Sequence, residues 1–228
     1  MGWFELWRSR LGVALGALIA LGLPTAASAA DCARMTHDGQ NYAICRITAD
    51  EEPRLRLWLD DDSGQYFNNF SRIRQSLPPG QDLVFAMNAG MFHPGYAPVG
   101  LHIADGEKRG DLVTSGGGGN FGLLPNGVFC TGGARAFAVI ESRAFRDAAP
   151  ACRLATQSGP MLVIDGALHP RFLEDATSRY IRNGVGVSAD GTTAWFAISD
   201  RPVTFHEFGR LFRDGLGARD ALYFDGSL

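Results

Sequence analysis

The residues able to do chemistry in this chain sit where apolar stretches stop at polar ones. Leu83-Val84-Phe85-Ala86-Met87 runs into Asn88-Ala89-Gly90, an apolar strand ending on an amide and a glycine turn, which makes Asn88 a hydrogen-bonding candidate. Ala221-Leu222-Tyr223-Phe224 runs into Asp225-Gly226, and the apolar run from Trp195 to Ser199 runs into Asp200. An aspartate in such a place is either a catalytic carboxylate or a turn former bonded to its own backbone, and residue type leaves both roles open for Asp225 and Asp200. Glu207 is a third carboxylate, yet it follows Thr204 in the Thr-x-x-Glu pattern of a capping box, which points to a structural task at a helix start.

Other chemistries lack their spacing. Ser158 is followed by Gly159 but not framed by the Gly-x-Ser-x-Gly elbow of serine hydrolases. No Cys-x-x-Cys or His-x-x-x-His pair is present, so no metal and no cofactor is expected. The acidic run Asp60-Asp61-Asp62-Ser63-Gly64 lacks the spacing and terminal glutamate of a calcium loop and reads as a solvated turn. Ser115-Gly116-Gly117-Gly118-Gly119 has no following Lys-Ser/Thr and reads as a loop rather than a phosphate cradle. His93 and His169 each precede proline and read as turn residues, and His206 falls in a first helical turn.

The elements that must position these groups are mostly strands. Asp105-Gly106, Asn126-Gly127, Asp165-Gly166 and Asp190-Gly191 each separate strand-like segments and predict hairpin turns. The clearest hairpin joins 185–188 to 192–198, where β-branched and aromatic residues dominate. A further strand is expected at 54–59. Helical spacing of apolar residues predicts amphipathic helices over 66–77 and 205–216. Strands outnumber helices and do not alternate with them, so the fold class is α+β, with a mixed, largely antiparallel sheet, hairpins and a few packed helices.

Composition bounds the rest. The chain has 228 residues, 46% hydrophobic and 20% charged, enough for one ordinary core, and its 29 glycines without a three-residue period indicate many turns. A net charge of -3 without a dense basic run excludes a nucleic-acid partner. Arg8 and Arg10 precede an apolar run over 11–23 that ends in Ala27-Ser28-Ala29-Ala30, so residues 1–30 read as a secretory signal peptide, cleaved after Ala29 or Ala30. That run is short of the roughly 20 residues that span a bilayer, and Asp31 before Cys32 spoils a lipoprotein signal, so the expected product is periplasmic or secreted with no stable membrane anchor. Export places Cys32, Cys45, Cys130 and Cys152 in an oxidising compartment. Of the three possible pairings, Cys32 with Cys45 and Cys130 with Cys152 each bracket a short turn-rich segment.

Four motifs then follow in order: Met87-Asn88-Ala89-Gly90-Met91-Phe92, Gln157-Ser158-Gly159-Pro160-Met161-Leu162-Val163, Arg182-Asn183-Gly184-Val185-Gly186-Val187, and the stretch from Leu216 to Gly226. Each is weak alone; together, over roughly residues 80–228, they resemble the phosphodiester glycosidase family. The resemblance implies hydrolysis between an anomeric carbon and the phosphate of a sugar phosphodiester, in a cleft at strand ends. The substrate is then a sugar phosphate or polysaccharide, of the envelope or an exopolysaccharide. Such a reaction passes through an oxocarbenium-like state for which carboxylates are the natural partners. The positions on offer are Asp225 and Asp200, with Glu207 beside them. Arg182 fits the phosphate, Asn88 fits sugar hydroxyls or phosphate oxygen, and Gln157 with Ser158 offers further polar contacts.

Two departures from the family pattern bear on this. The Asp-Gly motif is normally followed by a serine- or glycine-rich stretch and a further segment, whereas this chain stops at Leu228. The expectation is therefore a single domain over 31–228, truncated at its C-terminus and lacking a wall of the site. His93 lengthens the first motif, as in an exported bacterial subgroup. The alternative reading is a non-catalytic carbohydrate-binding envelope protein that keeps the cleft without the chemistry.

Overall fold

The computed structural model describes residues 30–226. Apart from Ala30, the expected signal peptide lies outside the described residues, as do the last two residues of the chain. The α+β expectation holds, with the strands divided between two antiparallel sheets. The first contains β1 (Asp31–His37), β2 (Gln40–Thr48), β8 (Met161–Ile164), β9 (Ala167–Leu168), β10 (Asn183–Val187), β11 (Thr193–Ser199) and β12 (Asp220–Tyr223), in the order β1-β2-β11-β10-β12-β8-β9. The second contains β3 (His102–Ala104), β4 (Glu107–Arg109), β5 (Gly127–Thr131), β6 (Phe137–Glu141) and β7 (Leu154–Ser158), in the order β4-β3-β7-β5-β6. The helices are α1 (Phe70–Ser76), α2 (Ser142–Ala148) and α3 (Phe205–Arg210), the last continuing as a π-helical turn over Leu211–Gly215.

Alternation along β10 and β12 explains the layering, because successive side chains of a strand point to opposite faces. Val185, Val187, Leu222 and Phe224 join Phe129, Phe137 and Met161 in the core between the sheets. Tyr42, Ala197, Ala221 and Tyr223 face the other way, onto Phe208, Leu211 and Phe212 of α3 and its extension. Glycine on that second face lets the helix approach: a Cβ on Gly186 would lie 2.5 Å from the Phe212 ring and 2.9 Å from Ala218. A third cluster, with Leu101, Val128, Ala155 and Phe145 of α2, closes the outer face of the second sheet.

Both expected disulfides form. Cys32 and Cys45 face one another across β1 and β2, and Cys130 on β5 reaches Cys152 just before β7. Bonds of this kind persist in oxidising compartments. Among the described residues, no helix is long and apolar enough to cross a membrane.

Three of the four expected hairpin turns are found, at Asp105-Gly106, Asp165-Gly166 and Asp190-Gly191. The fourth is corrected: Gly127 opens β5, and Asn126 is a buried residue whose Nδ2 donates to the Phe121 carbonyl at 3.1 Å. The strand expected at 54–59 is also replaced, by a 3-10 turn over Glu52–Arg54 and irregular chain. Arg153 accounts for this, since its guanidinium bonds the carbonyls of Glu52 and Leu55 and the Glu52 carboxylate, satisfying groups that a ladder otherwise would. The helix expected at 66–77 starts later because Asn69 caps it, accepting from the Arg72 amide at 3.0 Å. The apolar strand expected at 83–87 does not form: these residues join no ladder and lie in irregular chain.

The close approach at Gly186 yields a stability prediction. Gly186→Ala forces Phe212 or Ala218 to move inside a packed core and is expected to cost about 1–3 kcal/mol, the range for overpacking. Chemical denaturation of the variant checks it; an unchanged midpoint shows that the helix layer gives way freely.

Candidate functional site

The end of the first sheet where β11 and β12 finish and β10 begins gathers three of the four motifs. Asn183 opens β10; its carbonyl accepts from the Phe224 amide at 2.9 Å, and its Nδ2 donates to the Asn88 carbonyl at 2.8 Å. The Asp225 amide donates to the Ala89 carbonyl at 3.1 Å, and the Gly90 amide to Thr156 Oγ1 of β7 at 3.0 Å. Residues 88–90, which belong to no ladder, are therefore held by both sheets. Gly226 is needed for closeness, since a Cβ there would lie 2.3 Å from the Ile181 carbonyl oxygen. Asp225 itself is half-buried at this end.

Arg182 is 1% exposed, the largest of the fully buried side chains. Its Nε donates to the Val203 carbonyl at 2.9 Å and its Nη2 to the Ser178 carbonyl at 3.3 Å. The guanidinium lies 3.5 Å from the centre of the Phe205 ring, with Tyr223 and Tyr180 at 5.5 and 5.6 Å. Nη1 is buried without a hydrogen-bond partner, and no ion pair includes this arginine, among the described residues. Burial lowers its pKa and the Tyr223 phenol works against that; a guanidinium nonetheless stays charged in a protein. A buried cation held by carbonyls and rings keeps a donor group without a hydrogen bond, a chemistry that suits an oxyanion.

Aromatic stacking supports that arginine from behind. Phe205 stacks on Phe172 at 5.1 Å, Phe172 on His169 at 4.7 Å, and Tyr223 meets Phe205 edge-on at 5.0 Å. His169 Nδ1 accepts from the Arg171 amide at 3.2 Å, which assigns the proton to Nε2, 3.1 Å from the Leu124 carbonyl. Burial holds the His169 pKa below its ordinary value.

The remaining candidates occupy different surroundings. Glu207 completes the capping box anticipated from sequence: its Oε2 accepts from the Thr204 amide at 2.8 Å, and its two oxygens clasp Arg179 at 2.8 and 2.9 Å. Burial raises its pKa, but the capping amide and Arg179 outweigh that and hold it below the usual value. Asp200 stands at the same sheet end on the other flank of β10, exposed and paired with Arg34 of β1. Gln157 on β7 is buried, with Oε1 accepting from the Leu101 and Val113 amides at 3.1 and 2.9 Å and Nε2 donating to Ser142 Oγ at 2.8 Å. Ser158 is fully buried with no partner for its hydroxyl among the described residues.

A cleft of about 1440 Å³ opens beside this end, between the irregular segments near 53–59 and 77–92 and the sheets. Asn88, Gly90 and Gln157 line it, with Phe129, Phe196 and Phe224 at its floor; Arg182, Asp200, Glu207 and Asp225 do not. Asn88 is thus the candidate shared by the cleft and the sheet end. Sequence reasoning passed over Asn183, whose amide ties Asn88 into place and whose Oδ1 is buried without a partner among the described residues. Its place directly after Arg182 in the motif was the available signal.

The family model for phosphodiester glycosidases matches residues 81–227. This chain belongs to the phosphodiester glycosidase family. The match takes in all seven candidate side chains and leaves out β1, β2 and their disulfide. The chain is 29% identical over 206 residues to the uncharacterized protein YigE of Escherichia coli (strain K12), covering 90% of this chain and 80% of that protein. Among solved structures it is similar in fold to the zebrafish N-acetylglucosamine-1-phosphodiester alpha-N-acetylglucosaminidase catalytic domain auto-inhibited by its pro-peptide, with a TM-score of 0.54 and 15% identity, over 86% of this chain and 69% of that one.

The buried histidines generate a pH dependence. His169 and His102 both have folded-state pKa values lowered by burial from 6.5, so below that pH the unfolded chain takes up protons that the folded one resists. Stability therefore falls as the pH drops through the histidine range. Thermal midpoints at about pH 7.5 and pH 5.5 check this, and His169→Gln is expected to shrink the difference. An unaltered difference in that variant removes His169 from the account.

Proposed function

We propose that this protein hydrolyses the bond between the anomeric carbon of a sugar and the phosphate of an envelope or exopolysaccharide phosphodiester, with Arg182 receiving the phosphate and Asp225 as the catalytic carboxylate. The observation that carries this reading is the buried Arg182, which has a free donor and no carboxylate in an ion pair with it among the described residues. A phosphate oxygen supplies the missing negative charge and accepts from Nη1. The family supplies the bond class.

The chemistry then follows from charge. Departure of the phosphate leaves positive charge at the anomeric carbon, which a carboxylate stabilises as nucleophile or through an activated water. A diester phosphate is a weak base, so a positioned cation suffices to ease its departure. Water adds across the bond, its hydroxyl to the sugar and its proton to the phosphate. Asp225 suits the carboxylate role because its backbone is anchored to Ala89 beside Arg182's strand start. Asp200 and Glu207 are engaged by Arg34 and by the helix cap with Arg179, which favours structural roles for both. Asn88 orients the substrate, and Gln157 acts by holding Leu101 and Val113 in place. Two disulfides favour a site of action outside the cytosol, after removal of residues 1–30 as a signal peptide.

The test follows sugar release from an N-acetylglucosamine phosphodiester and from a plain aryl glycoside. Release is expected from the diester, and Asp225→Asn is expected to lower it by about 10²-fold or more while the far-ultraviolet circular dichroism is kept. Arg182→Lys retains charge but loses the planar fork, and is expected to lower kcat/KM for the diester by about tenfold or more. Undiminished turnover in folded Asp225→Asn excludes a catalytic carboxylate there. Equal release from both substrates excludes a phosphate-reading Arg182.

A further inference from the structure

The segment after Asn88 holds a feature the reaction does not use. His93-Pro94-Gly95-Tyr96 forms a tight turn, closed by the Tyr96 amide on the His93 carbonyl at 2.9 Å and framed by the His93 amide on the Ala97 carbonyl at 2.8 Å and the Phe92–Pro98 bridge. Pro94 and Gly95 take the two central positions, and Gly95 has the positive φ, 101°, that the second of these demands in a type II turn. Tyr96 has φ 73°, a left-handed conformation that a bulky side chain rarely adopts. The turn thereby brings the Tyr96 ring onto Phe92, centroids 5.7 Å apart and planes 28° apart, and leaves both rings exposed, at 41% and 38%.

Strain of this kind persists where the surroundings impose it and concentrates at ligand sites. Among the described residues five large hydrophobic side chains are exposed, and three of them, Val84, Phe92 and Tyr96, line the cleft. The same cleft carries the amides Asn68, Gln81 and Asn88. Exposed aromatic faces beside scattered amides match one ligand chemistry, the pyranose ring. Its C–H face is apolar and faintly positive, complementary to the negative face of an aromatic ring, while its hydroxyls need amide partners.

We propose that Phe92 and Tyr96 form a stacking platform for a pyranose ring, a subsite for a glycan chain that continues beyond the bond being cleaved. This rests on the reading of the protein as a sugar-phosphodiester hydrolase, and it makes the substrate a polymer or oligosaccharide rather than an isolated sugar phosphate. The strained turn presents the two rings, and residues 88–90 join them to the reacting end.

Calorimetric titration of the whole protein with the tetramer of N-acetylglucosamine and with the monosaccharide tests the proposal. The tetramer is expected to bind about tenfold more tightly or better, and Phe92→Ala and Tyr96→Ala are each expected to forfeit about five- to tenfold of its affinity, with release from the short N-acetylglucosamine diester unchanged. Tyr96→Gly keeps the turn without the strain: its thermal midpoint is expected to rise while tetramer affinity falls, whereas a merely structural ring leaves affinity unchanged. A tetramer that binds wild type no better than the monosaccharide overturns the platform, as does full affinity in Tyr96→Gly. Tetramer binding in a protein that releases no sugar supports the platform and overturns the hydrolase reading. Hydrolysis without tetramer binding does the reverse.

Discussion

A guanidinium removed from water sets the constraint around which this molecule is arranged. Moving an ion into a protein interior costs several kcal/mol even after relaxation. Two charge-assisted bonds to the Val203 and Ser178 carbonyls and the face of Phe205 offset part of that cost for Arg182, a desolvated cation–π contact contributing about 2 kcal/mol. Each of those partners has to be held in turn. Val203 bridges to Tyr180, Thr204 caps α3 and so places Phe205, and Arg179 is clasped by the Glu207 that completes the cap. The stack through Phe172 to His169 fixes the far side of the Phe205 ring. What is left without a hydrogen bond among the described residues is the Nη1 amino group, at the sheet end that the family motifs share.

That arrangement needs α3 close to the sheet. The glycine at 186 removes the side chain that would stand between β10 and Phe212, while Val185 and Val187 fill the space between the two sheets. A Gly-Val-Gly-Val strand is thus asymmetric by design of its two faces: bulk toward the second sheet, backbone toward the helix. The phrase Arg182-Asn183-Gly184-Val185-Gly186-Val187 reads as one physical unit, an arginine and an amide delivered at the mouth of a strand whose composition lets a helix cover it.

What could be read from the residues divides along the same line. The capping box at Thr204 and Glu207, the hairpin from β10 to β11 and both disulfides were legible because each is governed by residues near in sequence or by chemistry specific to cysteine. The segment 54–59 was misread because its partner is a side chain, Arg153, about a hundred residues away, and apolar periodicity carries no trace of such a partner. Asn126-Gly127 looked like a turn by composition, but burial of the Asn126 amide against Phe121 makes it the start of a strand. At the candidate site, the rule that apolar runs end on polar groups singled out Asn88 and Asp225, whose backbones the fold brings to one sheet end although no strand precedes Asn88. It missed Asn183, because whether an amide at a strand start turns inward is decided by the neighbouring strands.

The chain between β2 and β5 is the part least built from ladders, and it is the part that makes the cleft. Its backbone is pinned at a few points: Arg153 holds 52–55, the Gln157 amide holds 101 and 113, and three bonds to Asn183, Asp225 and Thr156 hold 88–90. The last of these anchors joins the two sheets, and it does so at the residues between Arg182's end of the molecule and the aromatic turn at 92–96. A shift of either sheet relative to the other must therefore be felt at Asn88. On the reading proposed above, the reacting group and the aromatic platform stand on either side of this joint and keep a fixed separation, which is the geometric requirement for acting at one defined bond of a long chain.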